Sequence, residues 1–455
     1  MLASLAPQSL PLPAAAVPVM DVIAGLSRAL DITEGHPAGH AARSCVIGMR
    51  LAARCGLREP DLGDLFHALL LKDAGCSSNA ARLSQLIGGS DVQAKRAVWM
   101  TDWRRFPEKL RYLLAYAGPG ETWWQRAGRL ARLATQPSAE RELFQIRCDR
   151  GAAIALDLGL SASTASAIRS MDEHWDGGGL PSGLRGHAIP VAAQIIGMAQ
   201  VVEIFWHQHG IAATREVVRR RRRRWFAPEL ADLAQQLLGD TAFWRDLERV
   251  APLALLHAIA PAPAMLVADD ARLDRIVDAF AGVIDAKSPY THDHSRRVAD
   301  YAMAAASRLG FSAERLVRLR RAAMLHDIGK LGVSNSILDK PGQLDAAEWQ
   351  AMRAHTRHTF EILGAVPVFR ELAADAAAHH ERLNGKGYHL GLQGAALSPS
   401  ARVLAVADVT DALHSDRPYR PGLEVEQVVG ILTADAAAGV LCPQSVAAMV
   451  DVLQA

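Results

Sequence analysis

The chain has 455 residues, with 50 lysines and arginines against 48 aspartates and glutamates, a formal net charge of +2, and half of its residues apolar. That length suits two or three compact domains, the composition excludes a disordered chain, and the near-neutral balance argues against a dedicated nucleic-acid binder. Five scattered cysteines (Cys45, Cys55, Cys76, Cys148, Cys442) form no CxxC pair, which reads as reduced thiols in a cytoplasmic protein rather than a disulfide framework or thiolate zinc site.

Residues 1–20 are apolar and proline-punctuated but lack the basic stretch of a secretory signal, so a lead-in is expected there. From residue 21 the hydrophobic period is helical and alternating β-branched runs are missing, which predicts an all-α fold. Val22, Ile23, Leu26 and Leu30 precede His40 and Arg43, and Lys72-Asp73-Ala-Gly75 follows. Trp99, Trp103, Trp123 and Trp124 cluster in a stretch of about 77–143. The six arginines Arg219–Arg224 are expected to continue a helix as a solvated face, the sharper alternative being an anion site. Residues 251–268 are apolar but broken by Pro252, His257, Pro261 and Pro263, so a linker over 251–270 is expected and no membrane segment. Beyond it, Leu273, Ile276, Val277, Phe280, Val283 and Ile284 line one face of a helix over 271–286. A second apolar helix over 313–325 runs toward Gly329.

The two halves repeat. Residues 40 and 73 recur as 294 and 327, and 177 and 193 recur as 385 and 401, so the offset falls from 254 to 208 and the first copy carries an insert of about 46 residues. The expected organisation is a first helical domain over 21–250 with the tryptophan-bearing insert, and a second over 271–455. The second copy holds His294, His326-Asp327, His355, His379-His380 and Asp408. Imidazoles and carboxylates without thiolates suit hard to borderline divalent metals such as manganese, iron or zinc. At the positions of His326, His355, His379, His380 and Asp408 the first copy has Lys72, Arg147, Met171, Asp172 and Gln200, keeping His40 and Asp73. Ammonium and guanidinium groups have no lone pair to offer, so the first copy is expected to be degenerate and catalytically dead.

The string His326-Asp327-Ile-Gly-Lys330, then Ile337-Leu-Asp-Lys-Pro-Gly342, His355, His379-His380-Glu381, Gly385-Lys-Gly387-Tyr388, Asp408 through Asp411 and Arg417-Pro-Tyr-Arg420 resembles the HD-GYP family of HD-type phosphohydrolases over about 271–453. The resemblance implies an all-α metal-dependent phosphodiesterase that hydrolyses cyclic di-GMP to the linear dinucleotide or GMP, using a metal-activated water in a site of two divalent ions, iron or manganese. It implies that Asp327 bridges the metals, with His294, His326, His355, His379, His380 and Asp408 completing their shells. It puts Asp327 and Lys330 at the chemistry, and Lys330, Arg417, Arg420, Gly387 and Tyr388 against the substrate. The partners implied are a cyclic dinucleotide and, through the GYP-type loop, a signalling protein; oligomerisation stays open. Two departures stand out: Tyr290 where trinuclear members place a glutamate, favouring two metals, and His389 where the signature has proline. His358, one helical turn after His355, reads as an outer residue. The alternatives are another cyclic dinucleotide or nucleotide as substrate, and a signalling adaptor without turnover.

Overall fold

A computed structural model describes residues 17–135, 137–264, 266–416 and 421–455. Among these the chain is helical apart from one two-stranded antiparallel ribbon, Val17–Pro18 against Val267–Ala268, which ties the start of the first copy to the joint between copies. The segment preceding that ribbon's second strand contains the helix Pro252–Ile259, which packs on the helix His40–Arg54.

In the second copy the helices begin where the sequence supplies caps. The Asp269 carboxylate accepts from the Arg272 amide at 2.7 Å ahead of the helix Asp270–Asp285, Ser312 caps Ala313–Leu325, and Asp345 with Glu348 forms a capping box for Ala346–Gly364. The helices His294–Arg308 and Pro399–His414 pack side by side, and the helix Arg370–Ala377 lies against both Ala346–Gly364 and Ala313–Leu325. Their apolar faces join those of the first copy in one continuous core, running from Val19 through Phe280 to Met449. The insert builds a small core of its own from Leu83, Ile87, Ala94, Ala97 and Tyr112.

Two glycines set how closely the site elements meet. A Cβ on Gly329, in the turn Ile328–Gly332, would collide with the carbonyl of His355, and one on Gly75 would collide with the carbonyl of Arg147, the corresponding residue of the first copy. Both copies therefore press this turn directly onto the backbone of the neighbouring helix.

The arginine block departs from expectation. The helical stretch Val191–Arg221, broken at Gly210 (φ 75°), stops inside it; Arg222 is extended (ψ 137°), Arg223 has φ 64°, and the Arg223 amide donates to the Phe226 carbonyl at 2.9 Å to close a tight turn. Its charges are largely neutralised: Arg219 pairs with Glu216, Arg220 with Glu108, Arg222 with Asp232 and Arg224 with Asp102. Arg221 is fully buried, its guanidinium 3.6 Å from the Trp225 ring.

Candidate metal centre

Seven expected ligands from five chain segments converge on one buried point. His294 opens the helix His294–Arg308, and His326 and Asp327 sit between the helix Ala313–Leu325 and the following 3-10 turn. His355 lies on Ala346–Gly364, His379 and His380 just beyond Arg370–Ala377, and Asp408 on Pro399–His414. The Asp327 Oδ2 lies 3.4 Å from His294 Nε2 and 3.3 Å from His326 Nε2, while its Oδ1 lies 3.6 Å from both His355 Nε2 and His379 Nε2. One carboxylate thus faces two sets of donors, His294–His326–Asp327 and His355–His379–His380, each compact enough to hold an ion. Asp408 closes the other side, 3.5 Å from His294 Nε2 and 3.8 Å from His380 Nδ1.

The imidazoles are aimed by their far nitrogens. His326, His355 and His379 each donate Nδ1–H to the carbonyl three residues earlier, of Ala323, Met352 and Ala376, at 2.6 to 2.7 Å. That fixes the tautomer and leaves each Nε2 lone pair pointing inward. His294 does the same with Asp411, Nδ1 to Oδ2 at 2.6 Å, and Arg297 clamps the same carboxylate, Nε to Oδ1 at 2.5 Å. Asp411 and Arg297 were absent from the expected site. Their spacing, three residues after Asp408 and three after His294 on their helices, was the signal that could have found them.

The donor set fits divalent cations. His294 Nε2, His326 Nε2 and Asp327 Oδ1 are buried with no hydrogen-bond partner, and His355 Nε2 and His379 Nε2 face each other at 3.2 Å, an arrangement that costs free energy unless a cation lies between them. Burial holds His355 down to about 3 and lowers His379, so both rings stay neutral and keep a lone pair to offer. Burial also pushes on His326, but Asp327 and Asp408 outweigh it and lift the imidazole to about 10; the carboxylates draw positive charge to this point, and a cation bound there would take the place of the proton on His326 Nε2. Against burial, neighbouring imidazoles hold Asp327 and Asp408 well below the usual carboxylate range, with Lys330 adding to the effect at Asp327.

The remaining expected residues fall around this cluster. Lys330 Nζ contacts Asp327 Oδ2 at 2.5 Å, and the Tyr388 ring lies 4.6 Å from that of His380, tilted by 32°. Any side chain at Gly387 would collide with the Glu381 backbone, which accounts for glycine there by packing. His389 has φ 110°, which a proline ring cannot adopt. The loop instead hangs on Glu381, whose carboxylate accepts from the amides of Leu390, Gly391 and Leu392. His358 lies outside the cluster, beside Gly332, and Tyr290 is exposed. Arg417 and Arg420 lie outside the described residues.

The first copy keeps the scaffold with different chemistry. Glu203 takes the place of Asp411, binding His40 Nδ1 and, at 2.7 Å, Arg43 Nε; Glu173 takes that of Glu381, accepting from Ser182, Gly183 and Leu184. Lys72 Nζ sits 3.0 Å from His40 Nε2 and against Asp73. Arg147 pairs with Asp172 at 2.7 Å. Glu34, Asp73 and Cys76 also lie close enough together for an ion, but Lys95 and Arg147 flank Glu34 and Lys72 binds Asp73, so cations already occupy the surroundings.

Residues 127–215 and 278–440 match the HD domain family. The chain is 42% identical, over 91% of its length and 90% of the other's, to 3'3'-cGAMP-specific phosphodiesterase 3 of Vibrio cholerae. A crystal structure of the V. cholerae cyclic GMP-AMP specific phosphodiesterase V-cGAP3 superposes with a TM-score of 0.67 at 37% identity, covering 97% of this chain and 98% of that one. The cyclic di-GMP phosphodiesterase response regulator RpfG of Xanthomonas campestris is 38% identical over 34% of this chain and 42% of its own. The full-length likeness to a cGAMP-specific protein overturns the expectation of cyclic di-GMP as substrate: the metal-centre motifs meet a phosphodiester that both dinucleotides share, and so do not report the base. The chain belongs to the HD domain family, in the group that contains the HD-GYP proteins and the 3'3'-cGAMP-specific phosphodiesterases.

Proposed function

We propose that this protein is a metal-dependent phosphodiesterase that hydrolyses 3'3'-cyclic GMP-AMP, its catalytic centre lying in the second of two tandem HD-type domains. The observation that carries the reading is the 42% identity, spanning nine-tenths of both chains, to an enzyme named for that substrate. Two divalent ions, iron or manganese, would be held by His294, His326, Asp327, His355, His379, His380 and Asp408, and when bound they supply a nucleophile at neutral pH and charge neutralisation at the phosphate.

The chain's own residues do the rest. Asp327 spans the two donor sets and fixes their separation, and the carbonyls of Ala323, Met352 and Ala376 keep each imidazole in the ligating tautomer. Lys330 carries positive charge beside Asp327, where it neutralises a non-bridging phosphate oxygen. Tyr388 covers His380 and limits water at the open side. Burial of the cluster lowers the local dielectric and strengthens each of these charge interactions. The first domain, with Lys72 and Arg147 in ligand positions, is non-catalytic in this reading.

The test is turnover of purified, metal-loaded protein on 3'3'-cGAMP and cyclic di-GMP in parallel. Preferential hydrolysis of 3'3'-cGAMP, lost in Asp327→Ala and His326→Ala variants of unchanged helical circular dichroism, is expected. A metal-loaded wild type that leaves 3'3'-cGAMP intact sinks the proposal.

A further inference from the structure

The candidate ligands are not equally covered. The side chains of His294, His326, Asp327, His355 and His379 are at most 2% exposed, whereas Asp408 is 9%, Lys330 16% and His380 19% exposed. Solvent therefore reaches the cluster through a window framed by these three residues, and Tyr388 stands over its His380 edge.

Next to Tyr388 lies Arg353, and on the other side of its guanidinium Trp349, two residues that the chemistry so far has not used. Arg353 places its guanidinium carbon 5.4 Å from the centre of the Tyr388 ring and 5.8 Å from that of Trp349. Trp349 and Arg353 stand four residues apart on the helix Ala346–Gly364, one turn apart on one face, so the helix that carries His355 also fixes their positions. Trp349 is 46% exposed although it is the largest side chain of that helix. Among the described residues, the Arg353 guanidinium has no carboxylate within ion-pairing distance and no hydrogen-bond acceptor, its neighbours being the two ring faces.

We propose that Trp349 and Arg353 form an outer substrate subsite, in which the indole is a stacking platform for one purine and the guanidinium binds the phosphodiester that is not being cleaved. The inference rests on the reading of the substrate as a cyclic dinucleotide. Such a ring carries two phosphodiesters and two purines; with one phosphate at the window, the second phosphate and a base project toward the rim. Arginine stays charged at all working pH and offers a bidentate fork to phosphate, and its position between two aromatic faces orders that fork in advance. Stacking on an indole accepts either purine, so this subsite selects for a cyclic dinucleotide over a small diester and not for one base over another.

The experiment compares steady-state kinetics of wild type, Trp349→Ala, Arg353→Ala and Arg353→Lys on 3'3'-cGAMP and on bis(p-nitrophenyl) phosphate, a diester too small to span from window to rim. Each alanine variant should raise KM for 3'3'-cGAMP about tenfold or more with kcat within threefold, Arg353→Lys should recover part of the loss, and the aryl diester should be hydrolysed as by wild type. Unchanged KM for 3'3'-cGAMP overturns the subsite alone, as does an equal loss on both substrates, which would mark a structural effect on the metal centre. Wild-type turnover of the aryl diester without turnover of 3'3'-cGAMP overturns the substrate reading and the subsite with it.

Discussion

Each imidazole proposed as a ligand is only as well aimed as the acceptor on its far nitrogen, and His294 differs from the others in using a side chain. Its Nδ1–H goes to Asp411, which Arg297 holds in turn, and Asp411 is kept down at about 2, its own burial being outweighed by His294 and Arg297. Asp411→Asn removes the charge that orients the ring and raises its basicity, and loss of such a partner typically costs 10–100-fold in metal affinity. Competition titration against a chelator should show a loss of that size, while Asp293→Asn, whose carboxylate contacts the exposed His292, should leave affinity unchanged. His326-Asp327 and His379-His380 were legible in the sequence because adjacent donors at helix ends have few other uses. Asp411 and Arg297 left only their three-residue spacing from Asp408 and His294, since the pairing between them exists once the two helices, more than 100 residues apart in the chain, lie side by side.

At the scale of elements, the insert is tied to the second copy by a buried polar lock. Asp91, the first residue of the helix Asp91–Val98, accepts from Lys287 Nζ at 3.1 Å, the Ser334 hydroxyl at 2.9 Å and the Asn335 amide at 2.8 Å. Both charges are essentially inaccessible to water. Ser334 and Asn335 follow the turn that carries Lys330, so the insert holds the segment behind the metal centre. Breaking one partner of a buried pair strands the other and costs about 3–5 kcal/mol. Asp91→Asn should therefore lower the urea midpoint substantially, and Asp91→Asn with Lys287→Met should recover much of the loss. The pH dependence has a definite sign. Burial works against the Asp91 carboxylate, but Lys287 and Lys95 hold it below its ordinary value, so its stabilisation is present above the unfolded value near 4 and is lost as pH falls through the lower folded one. The stability gap between wild type and Asp91→Asn should close in acid. No local pattern forecasts a contact across 196 residues. The turn inside Arg219–Arg224 was hidden for a related reason: arginine is a good helix former, and the partners that meet the block, such as Asp102 of the insert against Arg224, lie more than 100 residues away in the chain.

At the scale of the molecule, the two copies use one scaffold with opposite charge logic. Asp327 and Asp408 in the second copy gather positive charge that the chain itself supplies only in part, through His326 and Lys330. In the first, Lys72 bridges His40 and Asp73 and Arg147 neutralises Asp172, so side-chain cations of the chain itself stand where the second copy gathers its donors. Metal should then stabilise only the second copy, by mass action on its folded form. Wild-type protein equilibrated with manganese is expected to retain two ions per chain by elemental analysis and to melt at higher temperature than after chelation. Asp327→Ala should lose most of the bound metal and the metal-dependent rise together. Lys72→Met should keep both ions and the full rise, yet melt lower in every condition, because Asp73 is left buried without its counter-charge at a cost of about 3–5 kcal/mol. Four ions in the wild type would show that the first copy is a metal site and that its cations are not the substitutes argued above, and loss of metal in Lys72→Met would show that Lys72 supports the site of the second copy.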